Sequence, residues 1–209
     1  MERPDTPVGV GGSRDAAAVL RDDGYLIFRS RQDAAPIVAM FGSEEPPTLL
    51  EPKASATGGK WSHSDHYGFG YFPWHTDGAV AVLPPRWMLL ECELVEGSSR
   101  TELLDPSAEL VRRLRKCAMR VRNRTGRVRY VAPVSPTADG KHRLRWDPRV
   151  CEINDAALRV LIEDEPPTGI CEWVEGRVLL VDNWRLLHRR PAVDPSAQRR
   201  LIRSYVRTA

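Results

Sequence analysis

In the stretch YFPWHTDGAV (71–80), His75 and Asp77 stand on either side of one Thr, with a Gly directly after. An imidazole nitrogen and a carboxylate oxygen together suit a divalent first-row metal. Side chains at i and i+2 of an extended strand project to one side, so both can reach the same point. Two ligands hold a metal weakly, and a third donor is needed. The chain has five histidines. His63 and His66 fall in a Pro-, Gly- and Ser-rich segment and are expected as exposed loop residues, from which a His can still touch an anionic substrate. His142 follows a Gly in a turn. His188, in GRVLLVDNWRLLHRRP, ends an apolar strand and is the candidate for a buried site.

His75, Asp77 and His188 together would form a facial triad, the ligand pattern that leaves coordination positions open in non-haem Fe(II) oxygenases. The chain downstream adds to this. Arg199 and Arg203 fall on one face of the terminal strand RRLIRSYVR, with Leu201, Tyr205 and Arg207, while Arg200, Ile202, Ser204 and Val206 face the other way. Arg offers a rigid fork of donors that matches a carboxylate. Two such forks beside a metal imply two anionic groups bound at once.

Other elements must position these groups. SRDAAAVLRDDG (13–24) reads as a short helix capped by Ser13 and ended by Gly24, followed by the strand YLIFRS. The stretch 43–62, rich in Pro, Gly and Ser, reads as a long irregular loop, and 43–70 is a candidate lid. RWMLLECELV (86–95) is a buried strand. Helices are expected over 105–117, with Pro106 in the first turn, and from Asn154 or Asp155 to Glu165. MRVRNRTGRVRYVAP and HRLRWDP are strand-like, as are GRVLLVDNW and RRLIRSYVR. Strands dominate, so the expectation is a β-rich α+β fold with helices packed outside.

The 209 residues fit one domain, 1–209, with a loose lead over 1–12. No run reaches the roughly 18 apolar residues of a membrane span, and the acidic N-terminal region does not read as a secretory signal. The four cysteines are widely spaced without a CxxC pair, consistent with reduced thiols in a cytoplasmic protein. Of 31 basic residues, 27 are Arg, densest over 111–129. That stretch could serve a nucleic-acid binder or a nucleic-acid-modifying oxygenase, but the net charge of only +3 favours a solvated face.

WHTDGAV (74–80), PPRWMLLECELVEGSSRTELLD (84–105) and WVEGRVLLVDNWRLLHRRPAVDPSAQRRLIRSYV (173–206) together resemble the taurine dioxygenase/clavaminate synthase-like family of Fe(II)- and 2-oxoglutarate-dependent oxygenases. The resemblance implies a double-stranded β-helix (jelly-roll) core. It implies Fe(II) held by His75, Asp77 and His188, and 2-oxoglutarate gripped by Arg199 and supported by Thr101. O2 would be the oxidant, with succinate and CO2 as co-products. Arg203 matches a position that in some members binds an anionic group of the substrate. The turn GSSRT departs from the family's two glycines before the Thr, and the chain is shorter than most relatives. Halogenating relatives have Ala or Gly at the carboxylate position, so Asp77 points to hydroxylation, desaturation or cyclisation. The implied substrate is a small carboxylate-bearing metabolite such as an amino acid, possible in specialised metabolism.

Candidates for the substrate pocket are Trp61, Ser64, His66, Phe69, Trp74, Arg145, Trp146 and Asp147. Trp74 and Phe69 read first as core, and Asp147 before Pro148 also as a strand-end cap. Asn183 and Arg190 flank His188 and are expected to orient it. A non-catalytic jelly-roll binding protein and a zinc hydrolase using the same ligands are the rival readings.

Overall fold

The computed structural model describes residues 16–54, 63–138 and 140–207. Two antiparallel sheets face each other. The larger runs β1 (Tyr25–Phe28), β12 (Val178–Asp182), β4 (Trp87–Val95) and β14 (Arg199–Arg207), and the outer edge of β14 is covered by β2 (Ser43–Glu44) and β3 (Thr48–Leu50). The smaller is β11 (Gly169–Glu172), β5 (Arg100–Leu104) and β13 (Leu187–Arg189). A three-stranded sheet of β10 (Cys151–Ile153), β6 (Met119–Arg122) and β7 (Val128–Val131), and the hairpin of β8 (Val134–Pro136) and β9 (His142–Leu144), complete the strands. The helices are α1 (Ala16–Asp23), α2 (Arg31–Ala39), α3 (His63–Tyr67), α4 (Ala108–Leu114) and α5 (Ala156–Asp164). This is the β-rich architecture expected above.

The alternation of side chains along each strand divides the core. From β4, Met88, Leu90 and Cys92 point inward to meet Leu103 of β5 and Cys171 of β11, with Leu179, Val181 and Leu201 beside them. The alternate residues Trp87, Leu89, Leu180 and Val206 face outward and pack against Leu20 of α1 and Ala34 and Val38 of α2. Behind the smaller sheet, Leu104 and Leu187 pack against Leu110 and Leu114 of α4, Leu158 and Ile162 of α5, and Met119 and Val121 of β6. The cysteines 92, 151 and 171 are buried among these apolar side chains.

One local expectation about strands needs correction. Residues 43–50 are not irregular: Thr48–Leu50 pair with Arg203–Leu201, and Ser43–Glu44 with Arg207–Val206. The edge of β14 carries unpaired backbone donors and acceptors that this segment satisfies, and Pro46 and Pro47 only interrupt the pairing. The remainder of the candidate lid includes 55–62, which with Ser13 and Trp61 lies outside the described residues. Helix α2 escapes a periodicity argument because Pro36 lies inside it, yet Ser30 accepts a hydrogen bond from the Asp33 amide at 3.2 Å and caps it. The helices expected at 105–117 and 154–165 form over the shorter spans Ala108–Leu114 and Ala156–Asp164, capped by Ser107 and Asp155, so Pro106 precedes the cap instead of sitting in the first turn.

The Arg-rich stretch is spread over α4, β6 and β7, and much of it is paired: Arg112 with Glu109, Arg113 with Asp155, and Arg120 and Arg122 with Glu152. Among the described residues no helix is long and apolar enough to cross a membrane.

Leu103 is fully buried where the two sheets meet. Leu103→Ala should cost about 2–5 kcal/mol. At about 2–4 °C of melting temperature per kcal/mol for a chain of this size, a thermal melt should fall by roughly 4–20 °C.

Candidate metal and cosubstrate site

The segment carrying His75 and Asp77 is anchored residue by residue. His75 forms an antiparallel bridge with His188, its amide donating to the His188 carbonyl at 3.1 Å and the His188 amide returning the bond at 2.9 Å. Thr76 points the other way and is fully buried. Its amide donates to the Trp146 carbonyl at 2.7 Å, and its Oγ1 accepts from the Trp146 amide at 3.1 Å. Asp77 does not continue an extended strand but begins a turn. Its amide donates to Asn183 Oδ1 at 2.7 Å, while Asn183 Nδ2 donates to the Asp77 carbonyl at 3.1 Å. Asn183 therefore positions Asp77, not His188 as expected.

Gly78 follows because nothing larger fits. It has φ +70°, and a Cβ there would lie 2.7 Å from the Pro85 ring. Arg145, a pocket candidate from the sequence, is instead a clamp on the same turn, donating to the carbonyls of Ala79 at 2.5 Å, Ala81 at 2.6 Å and Val82 at 3.0 Å. Trp146 and Trp74 are core residues behind the smaller sheet. Arg190 donates to the carbonyls of Gly68 and Gly70 and lies over the Phe72 ring, so it ties down the segment after α3 and does not orient His188.

The ligand groups converge. His75 Nδ1 lies 2.9 Å from the Pro73 carbonyl, which leaves Nε2 for the site. The His75 and His188 rings are 4.2 Å apart between centroids, and His188 Nε2 is 3.9 Å from Asp77 Oδ1. Burial pushes His75 down to about 4 and His188 to about 3, so both are neutral and keep a lone pair at neutral pH. Burial, the largest single influence, disfavours the Asp77 carboxylate, but Arg203, His188, His75 and the Tyr205 hydroxyl together outweigh it and hold Asp77 well below the usual range, hence ionised. Two neutral imidazoles and an ionised carboxylate are the donor set a divalent iron site requires.

Arg203 is engaged within the protein through one of its guanidinium nitrogens, while its Nε has no hydrogen bond. Its guanidinium donates to Asp77 Oδ2 at 3.0 Å, and the Tyr205 hydroxyl donates to the same oxygen at 3.0 Å. Both donors converge on one carboxylate oxygen and leave Oδ1 toward His188.

Arg199 has no such partner. It is buried, among the described residues no carboxylate pairs with it, and its Nε has no hydrogen bond. Burial lowers it to about 10, so it remains charged. A buried guanidinium without a counter-charge is costly, and an anionic group from outside would relieve that cost. Thr101 is buried on the same cavity wall; its Oγ1 accepts from Trp173 Nε1 at 3.0 Å, so its own O–H is free to donate.

These residues line one cavity of about 510 Å³, which contains His75, Asp77, His188, Thr101, Arg199, Arg203 and Tyr205. On β14, Arg199, Leu201, Arg203 and Tyr205 all face it, as the two-residue period requires. Ser64 and Asp147 are also on its wall, with Asp147 paired to Arg149 at 2.5 Å. His66 is exposed and outside the lining. His63, expected to be exposed, is instead turned inward, its ring 3.7 Å from that of His75. Only its aromatic company, Tyr67 and Phe72, could have signalled this from sequence.

No family model and no curated protein matches the sequence. Solved structures do. An asparagine oxygenase in complex with Fe(II), 2S,3S-3-hydroxyasparagine and succinate superposes with a TM-score of 0.66 at 16% identity, over 91% of this chain and 77% of that one. A taurine dioxygenase from Burkholderia xenovorans gives 0.63 at 17% identity, covering 95% and 84%. PvcB from Pseudomonas aeruginosa gives 0.63 at 17%, covering 99% and 84%. The chain has the double-stranded β-helix fold of these oxygenases. The sheets and helices described above are therefore that fold's two faces and their outer packing.

Gly78→Ala should push the turn off Pro85 and displace Asp77. The expected result is a metal affinity lower by roughly 10–100-fold, the range for losing a group that orients a ligand, read by calorimetric titration with Mn(II).

Proposed function

We propose that this protein is an Fe(II)- and 2-oxoglutarate-dependent oxygenase that hydroxylates, desaturates or cyclises a small carboxylate-bearing metabolite, most simply an amino acid. The observation that carries the reading is the pairing, in one cavity, of a neutral-His/ionised-Asp donor set with a buried Arg199 that lacks a counter-charge.

In this reading His75, Asp77 and His188 hold the iron. Arg199 grips the far carboxylate of 2-oxoglutarate, and Thr101 donates its free O–H to the same group. When bound, iron and 2-oxoglutarate supply the activation of O2 and the oxidising power, with succinate and CO2 as co-products. The protein's own residues supply binding and orientation. Arg203 and Tyr205 hold Asp77 Oδ2, which keeps the carboxylate charged and presents Oδ1. The Asp147–Arg149 pair and the Ser64 hydroxyl offer an acceptor, a cation and a further polar group on the cavity wall. That set complements the ammonium and carboxylate of an amino acid. Arg203, committed to Asp77, then acts on the substrate only through the metal ligand. The relatives of similar fold include an asparagine oxygenase, which supports the same substrate class.

Anaerobic addition of Fe(II) and 2-oxoglutarate should produce a weak visible charge-transfer band. Arg199→Ala should raise the 2-oxoglutarate concentration needed for it by at least about 30-fold, the equivalent of the ~2 kcal/mol or more lost when a buried charge pair is truncated. Arg203→Ala should weaken the metal itself. A protein that binds Fe(II) but gives no band and forms no succinate in air ends the proposal.

A further inference from the structure

Among the described residues the donors that lie mutually close join His63, not His188, to His75 and Asp77, while His188 Nε2 stands 3.9 Å from Asp77 Oδ1. One nitrogen of His63, one nitrogen of His75 and a carboxylate oxygen of Asp77 all lie within 4.8 Å of one another. His63 Nε2 is buried and has no hydrogen-bond partner; its closest acid, Asp147, stays at 3.8 Å, beyond bonding reach and engaged with Arg149. The ring is held in place by apolar and aromatic contacts, 3.7 Å from His75, 5.4 Å from Phe72 and 6.1 Å from Tyr67 between centroids. A phenyl ring would satisfy all of those contacts. An imidazole brings in addition an unsatisfied nitrogen, which a purely packing role does not need.

We propose that His63 is a fourth protein ligand of the metal, occupying one of the positions that His75, Asp77 and His188 leave open. This rests on the oxygenase reading above. A first-row ion at such a site takes up to about six ligands. Four protein donors together with a chelating 2-oxoglutarate would use them all. His63 would then block further ligands until its ring moved away. Its position favours that role: it opens the five-residue helix α3, and Ser64 beside it lies on the wall assigned to the substrate. A substrate seated against Ser64 and Asp147 competes with the ring for the same space.

The test uses the full chain titrated anaerobically with Co(II), reading the dissociation constant and the visible d–d band. His63→Phe keeps the ring contacts and removes the nitrogen. It should weaken Co(II) binding by more than roughly 10-fold, and the band should lose intensity and shift as water replaces the imidazole. His63→Asn is run in parallel in case the Phe variant fails to fold. An unchanged band overturns the assignment, whether or not the affinity changes, because a packing role alone would not alter the ligand set. His188→Ala separates the two claims. If it abolishes binding while His63→Phe leaves the band intact, the fourth ligand falls and the oxygenase reading stands. If the native chain takes up no Co(II), both fall.

Discussion

Two main-chain hydrogen bonds between His75 and His188 hold the site together. They connect a turn early in the chain to a strand 113 positions later, and they put two imidazoles on one bridge with ring centroids 4.2 Å apart. Because the link is backbone to backbone, it does not depend on the side chains it positions. The imidazoles are therefore free to serve as donors, and the bridge lengthens the edge of the smaller sheet where it meets the cavity.

Around that bridge the charges are arranged so that a buried carboxylate remains ionised. Asp77 is almost wholly removed from water, which alone would disfavour its charge, and Arg203, the two histidines and Tyr205 together reverse the balance. Arg199, two strand-repeats away on the same face, is the opposite case: a cation removed from water with its counter-charge missing. The two arginines look alike in sequence. Both keep an unbonded Nε, but one is ion-paired to Asp77 and the other lacks a counter-charge, and that difference gives the polar cavity wall a direction.

Packing places these groups with little tolerance. Gly78 leaves no room for a Cβ against Pro85, Thr76 is locked to the Trp146 backbone, and Arg145 clamps the three carbonyls beyond. None of these residues is a candidate metal ligand, yet each fixes where Asp77 begins its turn.

Much of this was legible from residue types and spacing. The HxD pair and the distal His after an apolar run are local patterns of residue type, and the alternation along RRLIRSYVR survives folding because side-chain direction follows backbone period, whereas Asp77 reaches the cavity from a turn. The sequence alone thus determined the fold class, the candidate donor residues and the Arg-lined face. It did not determine partners. That Arg203 spends its charge on Asp77, that Asn183 serves Asp77 and not His188, that 43–50 joins the larger sheet, and that His63 turns inward while His66 stays out were decided only by the tertiary structure. Each depends on which distant groups arrive within about 3–4 Å, and electrostatics and hydrogen bonding act at that range without regard to separation along the chain.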